Sequence, residues 1–456
     1  MAVSMSSNQF AQPNRQWLTA MAERANALRQ KQANRVTLGG VWLFLIGLTI
    51  FLSGVRAFRL PVFNLRLQPF LFPLAVAIPI TALRMARFPT RALVGLMLFW
   101  ALYAISLVGP SIQRVSPFED ATKLAAGVAV VITVAVLVSS RADFVLGSTG
   151  LALAIGLLAF RGLEEEQENI IEVANKNSYS LYALPAVLLA IFIAVRVDWK
   201  KVSFRKLAIP VGLVCSLAAA IAIVAGANRS GYVGLALIVL MMGFYLVFSP
   251  RLRLGKKSQG AVLLICLIAA VVAGLAYKGA EVFEHRYEQT VQGTESDTLR
   301  IHLFETALII GLENPIRGVS PQVLPVMLAH RLYPDVNPGN GVETHNVFAH
   351  VIGGSGFIAM GVLLYVAWTL WFWRSPNKRS RESAADFFDA RWLLRMMVVL
   401  WAVRGAFSQE ILYNPGFCMG LGLAIGLCMV ELETLKKSAT FGPAIGRILP
   451  ASAARS

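Results

Sequence analysis

The strongest constraint on the fold is a series of long apolar windows that recurs through the 456-residue chain. Each window has about 18 to 22 residues, enough as an α-helix to cross a hydrocarbon core of ~30 Å. Hydrophobic residues make up 56% of the chain and charged residues 15%, which is too apolar for a soluble domain. The pattern predicts an all-α integral membrane protein with about twelve transmembrane helices. The predicted spans are 38–55, 67–83, 92–109, 121–139, 143–160, 179–196, 207–226, 230–248, 260–277, 345–373, 388–407 and 413–432.

The basic residues orient these spans. If both termini are cytoplasmic, most of the 42 Lys and Arg fall in the termini and in the inward loops near 84–91, 200–206, 251–257 and 374–395. That bias is what the positive-inside rule requires. It also accounts for the formal net charge of +17 without a nucleic-acid partner, because a basic inner surface faces anionic membrane lipids.

The windows divide the chain into five predicted segments. A basic cytoplasmic segment precedes nine spans, then an outer loop, three further spans and a cytoplasmic tail, at 1–37, 38–277, 278–344, 345–432 and 433–456. No apolar core follows Met1 closely, so a cleavable signal peptide is not expected. The first segment is either a basic helix on the inner surface or a disordered tail.

The outer loop holds an unusual concentration of histidine. The five histidines all lie in or beside it, at His285, His302, His330, His345 and His350. A loop of this length usually folds or carries function, and histidine titrates near neutral pH. The loop therefore predicts chemistry or recognition outside the cytoplasm, although long loops are also simply where polar residues can lie.

Within this loop the sequence predicts a helix capped by Asp297 and running to about Leu312. Its expected apolar stripe comprises Leu299, Leu303, Leu308 and Leu312, broadened by Ile301, Phe304 and Ile309. A Pro- and Gly-containing turn follows at 313–318. His345 then lies where the next span begins, at the outer membrane surface.

A second outer feature is the short connection 226–231 between two spans. It holds Arg229 at the outer interface beside glycines that allow a ligand to approach the backbone. The alternative is an arginine whose side chain extends to lipid headgroups without binding a substrate.

At these residues the sequence resembles the bacterial O-antigen ligase and O-antigen polymerase superfamily, over roughly residues 180 to 430. Three motifs carry the resemblance: Asn228-Arg229-Ser230-Gly231; Thr298-Leu299-Arg300 leading into Glu313-Asn314-Pro315-Ile316-Arg317-Gly318-Val319; and Thr344-His345-Asn346 followed by Gly353-Gly354-Ser355-Gly356-Phe357. One departure is Ser320, where the family often has glycine.

The resemblance implies glycan transfer at the periplasmic face of a Gram-negative inner membrane. The donor would be a glycan on undecaprenyl diphosphate. The acceptor would be a sugar hydroxyl, on the lipid A core for a ligase or on another lipid-linked glycan for a polymerase. The family works with inversion, without a metal ion and without a further cofactor.

The residue types suit that reaction. Charge develops on the diphosphate as the glycosidic bond breaks, and arginine can bind two phosphate oxygens at once; the candidates are Arg229, Arg300 and Arg317. His345 is the candidate general base, with Asn346 orienting it or the sugar. The simpler interpretation of His345 is a helix-capping or interface residue.

The remaining polar residues give weaker indications. Glu305, Glu343 and Glu410 could assist the base, and the sequence does not choose among them. The other four histidines are expected to be structural or sugar-contacting. No metal site is predicted, because His345 and His350 do not share a helix face and the four cysteines, Cys215, Cys266, Cys418 and Cys428, lie inside apolar windows.

Two alternatives to a ligase stay open. The motifs do not separate ligase from polymerase, nor do they give the sugar, the linkage or the oligomeric state. A twelve-span secondary transporter is the other class, since two cytoplasmic termini are common there. Against it, the longest loop is not central, few acids lie within the predicted spans, and Lys123, which intrudes into one, could extend its side chain to the interface.

Overall fold

The computed structural model describes most of the chain. The described residues are 20, 24, 34–54, 60–62, 65–67, 70–108, 117–164, 176–196, 199–225, 229–248, 295–333, 341–373 and 381–448. The predicted ninth span, 260–277, and His285 lie outside them.

The fold is all-α, as the apolar windows predicted. The helices of the described part are α1 Leu38–Gly54, α2 Leu71–Arg84, α3 Thr90–Leu107, α4 Pro117–Leu137, α5 Arg141–Glu164, α6 Lys176–Val195, α7 Arg205–Ala225, α8 Arg229–Phe248, α9 Glu295–Glu313, α10 Leu324–Leu332, α11 Val347–Trp371, α12 Arg381–Gly405 and α13 Pro415–Ile448. Short 3-10 helices occur at Met85–Arg87 and Gln409–Leu412. A small antiparallel hairpin pairs β1 Leu60–Val62 with β2 Leu65–Leu67.

The chain is a multi-pass membrane protein. In the described part seven helices, α3, α4, α5, α7, α8, α11 and α13, are long and apolar enough to cross a bilayer, and α1 and α6 carry shorter apolar segments. Helix α2 has 14 residues and α12 contains several charged residues, so neither meets that standard. The total of twelve spans therefore stays a prediction.

Helix α13 lies at the centre of the bundle, with α4, α5, α6 and α12 packed around it. Its residues from Met419 to Met429 are almost all buried. Glycines permit the closest approaches: a Cβ on Gly422 would lie 2.8 Å from the Val131 carbonyl oxygen, and one on Gly426 would lie 2.8 Å from that of Ala135. Small residues at such contacts are typical of helices that pack inside membranes.

The two ends of the bundle differ. At one end, Arg141 binds Glu431 at 2.7 Å and Asp386 at 3.1 Å, while Arg196 binds Asp386 at 2.8 Å and Asp389 at 3.0 Å. We call this the charged end; its ion pairs join α5, α12, α13 and the residue that follows α6. The opposite end, where α11 begins, is called the loop end.

A small subdomain of α9 and α10 packs on the first turns of α11. Its core comprises Leu303, Ala307 and Ile310 of α9, Leu324 and Leu328 of α10, and Ala349 of α11. Beside this core Arg331 Nη1 donates to Glu313 Oε1 at 3.1 Å, and this bond lowers the pKa of the Glu313 carboxyl group.

The helix predicted in the outer loop is present, although it begins earlier than predicted and its apolar stripe is only partly buried. Helix α9 begins at Glu295, two residues before the predicted cap Asp297. Leu303 is buried as predicted, whereas Ile301, Ile309 and Leu312 are exposed. The small residues Ala307 and Gly311 let α9 approach α11 closely, and they determine the buried face more than the large leucines do.

Candidate functional site

Asn346 caps the N-terminus of α11. Its side-chain oxygen accepts hydrogen bonds from the backbone amides of Phe348 at 2.8 Å and Ala349 at 3.1 Å, and its Nδ2 donates to the Ala406 carbonyl at 3.2 Å. Such a cap satisfies amides that the first turn of a helix leaves without partners. The side chain thereby fixes the start of α11 to the end of α12.

His345 precedes this cap in an uncommon backbone conformation. Its φ of 48° lies in the left-handed region, which non-glycine residues adopt mainly at turns and functional sites. The imidazole is 42% exposed, and its Nδ1 lies 3.9 Å from Glu343 Oε2. That distance is too long for a hydrogen bond but within ion-pair range once the histidine is protonated. Among the three carboxylates that the sequence proposed, Glu343 is thus the one in ion-pair range of His345.

Thr344 anchors the other side of His345. Thr344 is buried, and its Oγ1 donates to Gln409 Oε1 at 2.7 Å. Gln409 begins the 3-10 helix between α12 and α13. His345 therefore stands between two residues, each tied to a different part of the α12–α13 connection. Sequence analysis did not identify Gln409, since nothing in its local pattern distinguishes it.

Helix α11 is broken at Gly356, where φ is 82° and ψ is 173°. Residues 315–320, which we call the Pro315 turn, dock at this break. The Val319 amide donates to the Gly353 carbonyl and the Ser320 amide to the Gly354 carbonyl, both at 2.9 Å, while the Phe357 amide donates to the Pro315 carbonyl at 2.8 Å. In an unbroken helix the Phe357 amide would bond to the Gly353 carbonyl instead.

The glycines of two sequence motifs are partners in this contact. A Cβ on Gly318 would lie 2.3 Å from the Gly354 carbonyl carbon, and one on Gly356 would lie 2.5 Å from the Ile316 carbonyl oxygen. Backbones this close leave no room for side chains. The motifs thus have a structural role in holding the turn against α11.

Ser320 has a φ of 86°, again in the left-handed region. Glycine adopts this region without steric cost, which explains why a glycine is suited to this position. The departure noted in the sequence lies at a conformationally demanding point of the Pro315 turn.

The structure describes the three candidate arginines in different detail. Arg317 is exposed, and its Nη2 donates to the Ile105 carbonyl at 3.1 Å, near the end of α3. Arg300 is exposed on α9, less than one turn before Leu303, which shares a core with Ala349 of α11. The structure therefore puts Arg300 on a helix that packs beside the first turns of α11. Arg229 begins α8, and its side chain lies outside the described residues.

A buried polar contact joins α3 and α11 below the site. Tyr103 Oη lies 3.3 Å from His350 Nε2, and Ser106 Oγ lies 2.9 Å from Ser355 Oγ. The other described histidines are exposed: His302 lies 3.5 Å from Glu305, and His330 is in the last turn of α10.

Arg404 is a buried cation at the loop end that sequence analysis did not anticipate. It is fully buried, and its Nη2 donates to Ser180 Oγ at 2.7 Å. It is also within electrostatic range of Glu410 in the 3-10 helix. Its position inside the apolar window 388–407 was the available signal, because ionisable residues inside spans are often functional.

An apolar cavity of about 660 Å³, including space open to the surroundings, lies between α3, α4, α13, α12 and α11. Each of these helices packs against the next, so they form a ring. Ile411 and Leu412 of the 3-10 helix border the cavity on the side of Thr344. Its other lining residues are Leu96, Phe99, Leu124, Gly127, Val128, Val131, Leu363, Val366, Ala367, Leu370, Val398, Trp401, Phe417, Cys418 and Leu421.

No group of three or more His, Cys, Asp or Glu residues is arranged to hold a metal ion within the described part of the chain. Cys215, Cys418 and Cys428 are buried and not disulfide-bonded.

The fold and this loop-end arrangement define a polytopic membrane protein with a helical subdomain docked on a broken membrane helix. A family model described as O-Antigen ligase matches residues 211–366. The match spans Arg229, Arg300, Arg317, His345 and Asn346. This match confirms the resemblance of this part of the chain to the O-antigen ligase and polymerase superfamily. A search of curated proteins finds no match.

The family supports a ligase- or polymerase-type glycosyltransferase activity in a membrane protein that uses lipid-linked glycans. This identification favours an enzyme over the transporter alternative.

Proposed function

We propose that this protein moves a glycan from undecaprenyl diphosphate to a sugar hydroxyl of the lipid A core at the periplasmic face of a Gram-negative inner membrane. Transfer proceeds with inversion and without a metal ion. The main support is the position of His345, exposed at the start of a membrane helix and fixed on both sides by Thr344 and Asn346.

In this mechanism His345 is the general base. The acceptor oxygen attacks the anomeric carbon from the side opposite the diphosphate, so one displacement inverts the configuration. The proton of the hydroxyl passes to an imidazole nitrogen, and the electron pair of the broken carbon–oxygen bond leaves on the diphosphate. A positioned base contributes typically ~10²–10⁴-fold to such a step, and Glu343 stabilises the imidazolium that forms.

The diphosphate is bound by Arg300, Arg317 and Arg229. Guanidinium groups suit this task because each presents two parallel donors to phosphate oxygens. Arg300 and Arg317 are exposed on the subdomain that packs on α11. Asn346 orients His345 by fixing the backbone that carries it, and the glycan contacts the exposed polar residues around it.

The apolar cavity beneath the 3-10 helix accommodates part of the isoprenoid chain. Its lining is almost entirely hydrocarbon, and such a lining suits an isoprenoid chain. A chain held there leaves its diphosphate near residues 344–346.

The proposed orientation follows the charges. The charged end and the connections beside it carry many basic residues, including Arg84, Arg87, Lys200, Lys201 and Lys206, so this end faces the cytoplasm. The loop end then faces the periplasm, and both termini are cytoplasmic. The catalytic loop is 278–344 in this scheme, with spans 38–277 before it and 345–432 after it, and cytoplasmic segments 1–37 and 433–456.

The test is complementation of a strain that lacks this gene. Wild-type protein restores long-chain lipopolysaccharide on a gel, whereas His345→Ala leaves bare core and accumulates lipid-linked polymer. His330→Ala is the matched control, because it removes another exposed histidine of the same subdomain. Arg300→Ala also abolishes transfer, and Arg300→Lys restores it partly.

Three results would contradict the proposal in different ways. Normal transfer by His345→Ala, at wild-type abundance, would exclude it as the base. Core carrying a single repeat in the deletion strain would mean that the enzyme is a polymerase. An unchanged ladder in that strain would exclude lipopolysaccharide as the product.

A further inference from the structure

One face of α9 changes character along the helix. Glu305, Ile309, Leu312 and Ile316 follow one another at intervals of four, three and four residues, so the three helical positions share a face that Ile316 continues past the helix end. Glu305 is exposed and pairs with His302. Ile309, Leu312 and Ile316 are 50%, 67% and 71% exposed. The face is thus continuously apolar from Ile309 to the Pro315 turn and mixed before it, where Glu305 lies between Ile309 and the exposed Ile301.

The position at which the Pro315 turn docks on α11 determines how deep the turn lies relative to the membrane. Its hydrogen bonds reach Gly353, Gly354 and Phe357. From Gly356 to Trp371, α11 can rise only ~22 Å at ~1.5 Å per residue, and any tilt shortens the distance across the membrane. A hydrocarbon core is ~30 Å thick.

The hydrocarbon core cannot extend beyond the Trp371 end of α11 to make up the difference between these two lengths. Trp371 and Trp373 mark that end, and Arg374 follows directly in the sequence. Trp and Arg at a helix end are typical of the membrane–water interface. The hydrocarbon core must therefore extend past Gly356 towards the loop end, to the level at which the Pro315 turn docks.

The exposed apolar residues of the turn continue a surface that faces lipid. Arg317 bonds to the Ile105 carbonyl and the Pro315 carbonyl accepts from Phe357, so the turn adjoins α3 and α11. Ile105, Phe357 and Ile358 are themselves exposed on these helices. Ile309, Leu312 and Ile316 extend this apolar surface onto the subdomain.

We propose that the end of α9 and the Pro315 turn dip into the outer edge of the hydrocarbon core, where Ile309, Leu312 and Ile316 contact the acyl chains of bilayer lipids. His302 and Glu305 remain at the headgroup level. Arg317 extends its guanidinium along the same surface while its aliphatic part stays in apolar surroundings. Its test reads contact with lipid alone and does not require that the proposed transfer reaction be correct.

The experiment places single cysteines along the face in a full-length chain whose native cysteines are replaced. Leu312→Cys and Ile316→Cys are compared with Glu305→Cys, the matched control two turns earlier on the same face. Each carries a nitroxide spin label, and the protein is reconstituted in vesicles of phosphatidylethanolamine and phosphatidylglycerol. Collision rates are measured with oxygen, which concentrates in hydrocarbon, and with a water-soluble nickel complex.

At positions 312 and 316 collisions with oxygen should exceed those with nickel, and at position 305 the order should reverse. A water-soluble maleimide should also react at least about tenfold faster at 305 than at 312, because hydrocarbon excludes the reagent. These exposed sites lie outside the packed core, so the substitutions leave the fold intact.

Two outcomes would overturn the proposal. If 312 and 316 collide with nickel as often as 305 does, the face lies in water. If both reagents are excluded from 312 and 316, another protein surface, such as a second copy of this chain, covers the face in place of lipid.

Discussion

Gly356→Ala should release the Pro315 turn from α11. The new Cβ would lie 2.5 Å from the Ile316 carbonyl oxygen and 2.8 Å from that of Pro315. The backbone conformation at φ 82° and ψ 173° is also essentially restricted to glycine. Alanine can therefore keep neither the contact nor the break without strain.

The loss of local stability in Gly356→Ala can be bounded, because the protein can either keep the strained backbone conformation or release the turn. Keeping the conformation costs ~1–3 kcal/mol in backbone strain, before any steric clash is counted. Releasing the turn lets α11 straighten, so the Phe357 amide exchanges its bond to Pro315 for one to Gly353. The bonds of Val319 and Ser320 are lost, each worth ~0.5–1.5 kcal/mol net, or ~1–3 kcal/mol together. A local destabilisation of ~2 kcal/mol is the central expectation, which increases the population of the released turn about 30-fold.

Hydrogen–deuterium exchange measures this directly. The amides of Val319 and Ser320 should exchange about 30-fold faster in Gly356→Ala than in wild type. Gly361→Ala is the control on the same helix, because a Cβ there meets no atom within 4 Å. Equal exchange in the two variants would refute the view that the break holds the turn.

Three further substitutions test separate parts of the site. Ser320→Gly should stabilise the turn by ~1 kcal/mol, because glycine tolerates the left-handed region. The turn amides should then exchange more slowly with deuterium, and faster exchange would contradict the view that Ser320 is strained. Asn346→Ala should lower thermal stability by ~1 kcal/mol through loss of the helix cap, and Asn346→Asp, which keeps the accepting oxygen, should recover most of it in a melting experiment. Leu363→Trp, which fills the apolar cavity, should reduce transfer from a long-chain lipid donor about tenfold or more, whereas Leu364→Trp, on the exposed side of the same helix, should not; equal rates would exclude the cavity as the chain site.

The helices could be predicted because transmembrane length and hydrophobicity are local properties of a sequence. Eleven of the twelve windows overlap a described helix. The order of the motifs likewise placed Arg300 and Arg317 on the subdomain that packs on α11, the helix that His345 precedes. What local patterns did not give is which distant residues touch.

The glycines illustrate that limit. Gly318 and Gly354 were recognised as parts of separate motifs, yet each is needed because the other lies against it. Gln409 and Arg404 contact Thr344 and Ser180 across long stretches of chain, and no periodicity reports such pairs.

The apolar stripe on α9 shows a second limit. Periodicity identifies hydrophobic positions but not what they face. Leu303 meets protein, whereas Leu312 is exposed. A helix at a membrane surface uses the same hydrophobic residue types to contact protein and to contact lipid. The sequence alone therefore could not separate the buried positions from the exposed ones.

The exchange of partners at the break has a consequence for how the chain assembles in the membrane. A straight α11 would satisfy its own amides and carbonyls, and hydrocarbon strongly penalises any that it leaves unpaired. The helix can therefore open at Gly356 only as the Pro315 turn supplies replacement donors and an acceptor. Because the turn precedes α11 in the chain, it has already been synthesised when α11 inserts. We therefore expect the bending of α11 and the docking of the Pro315 turn to occur as one folding step.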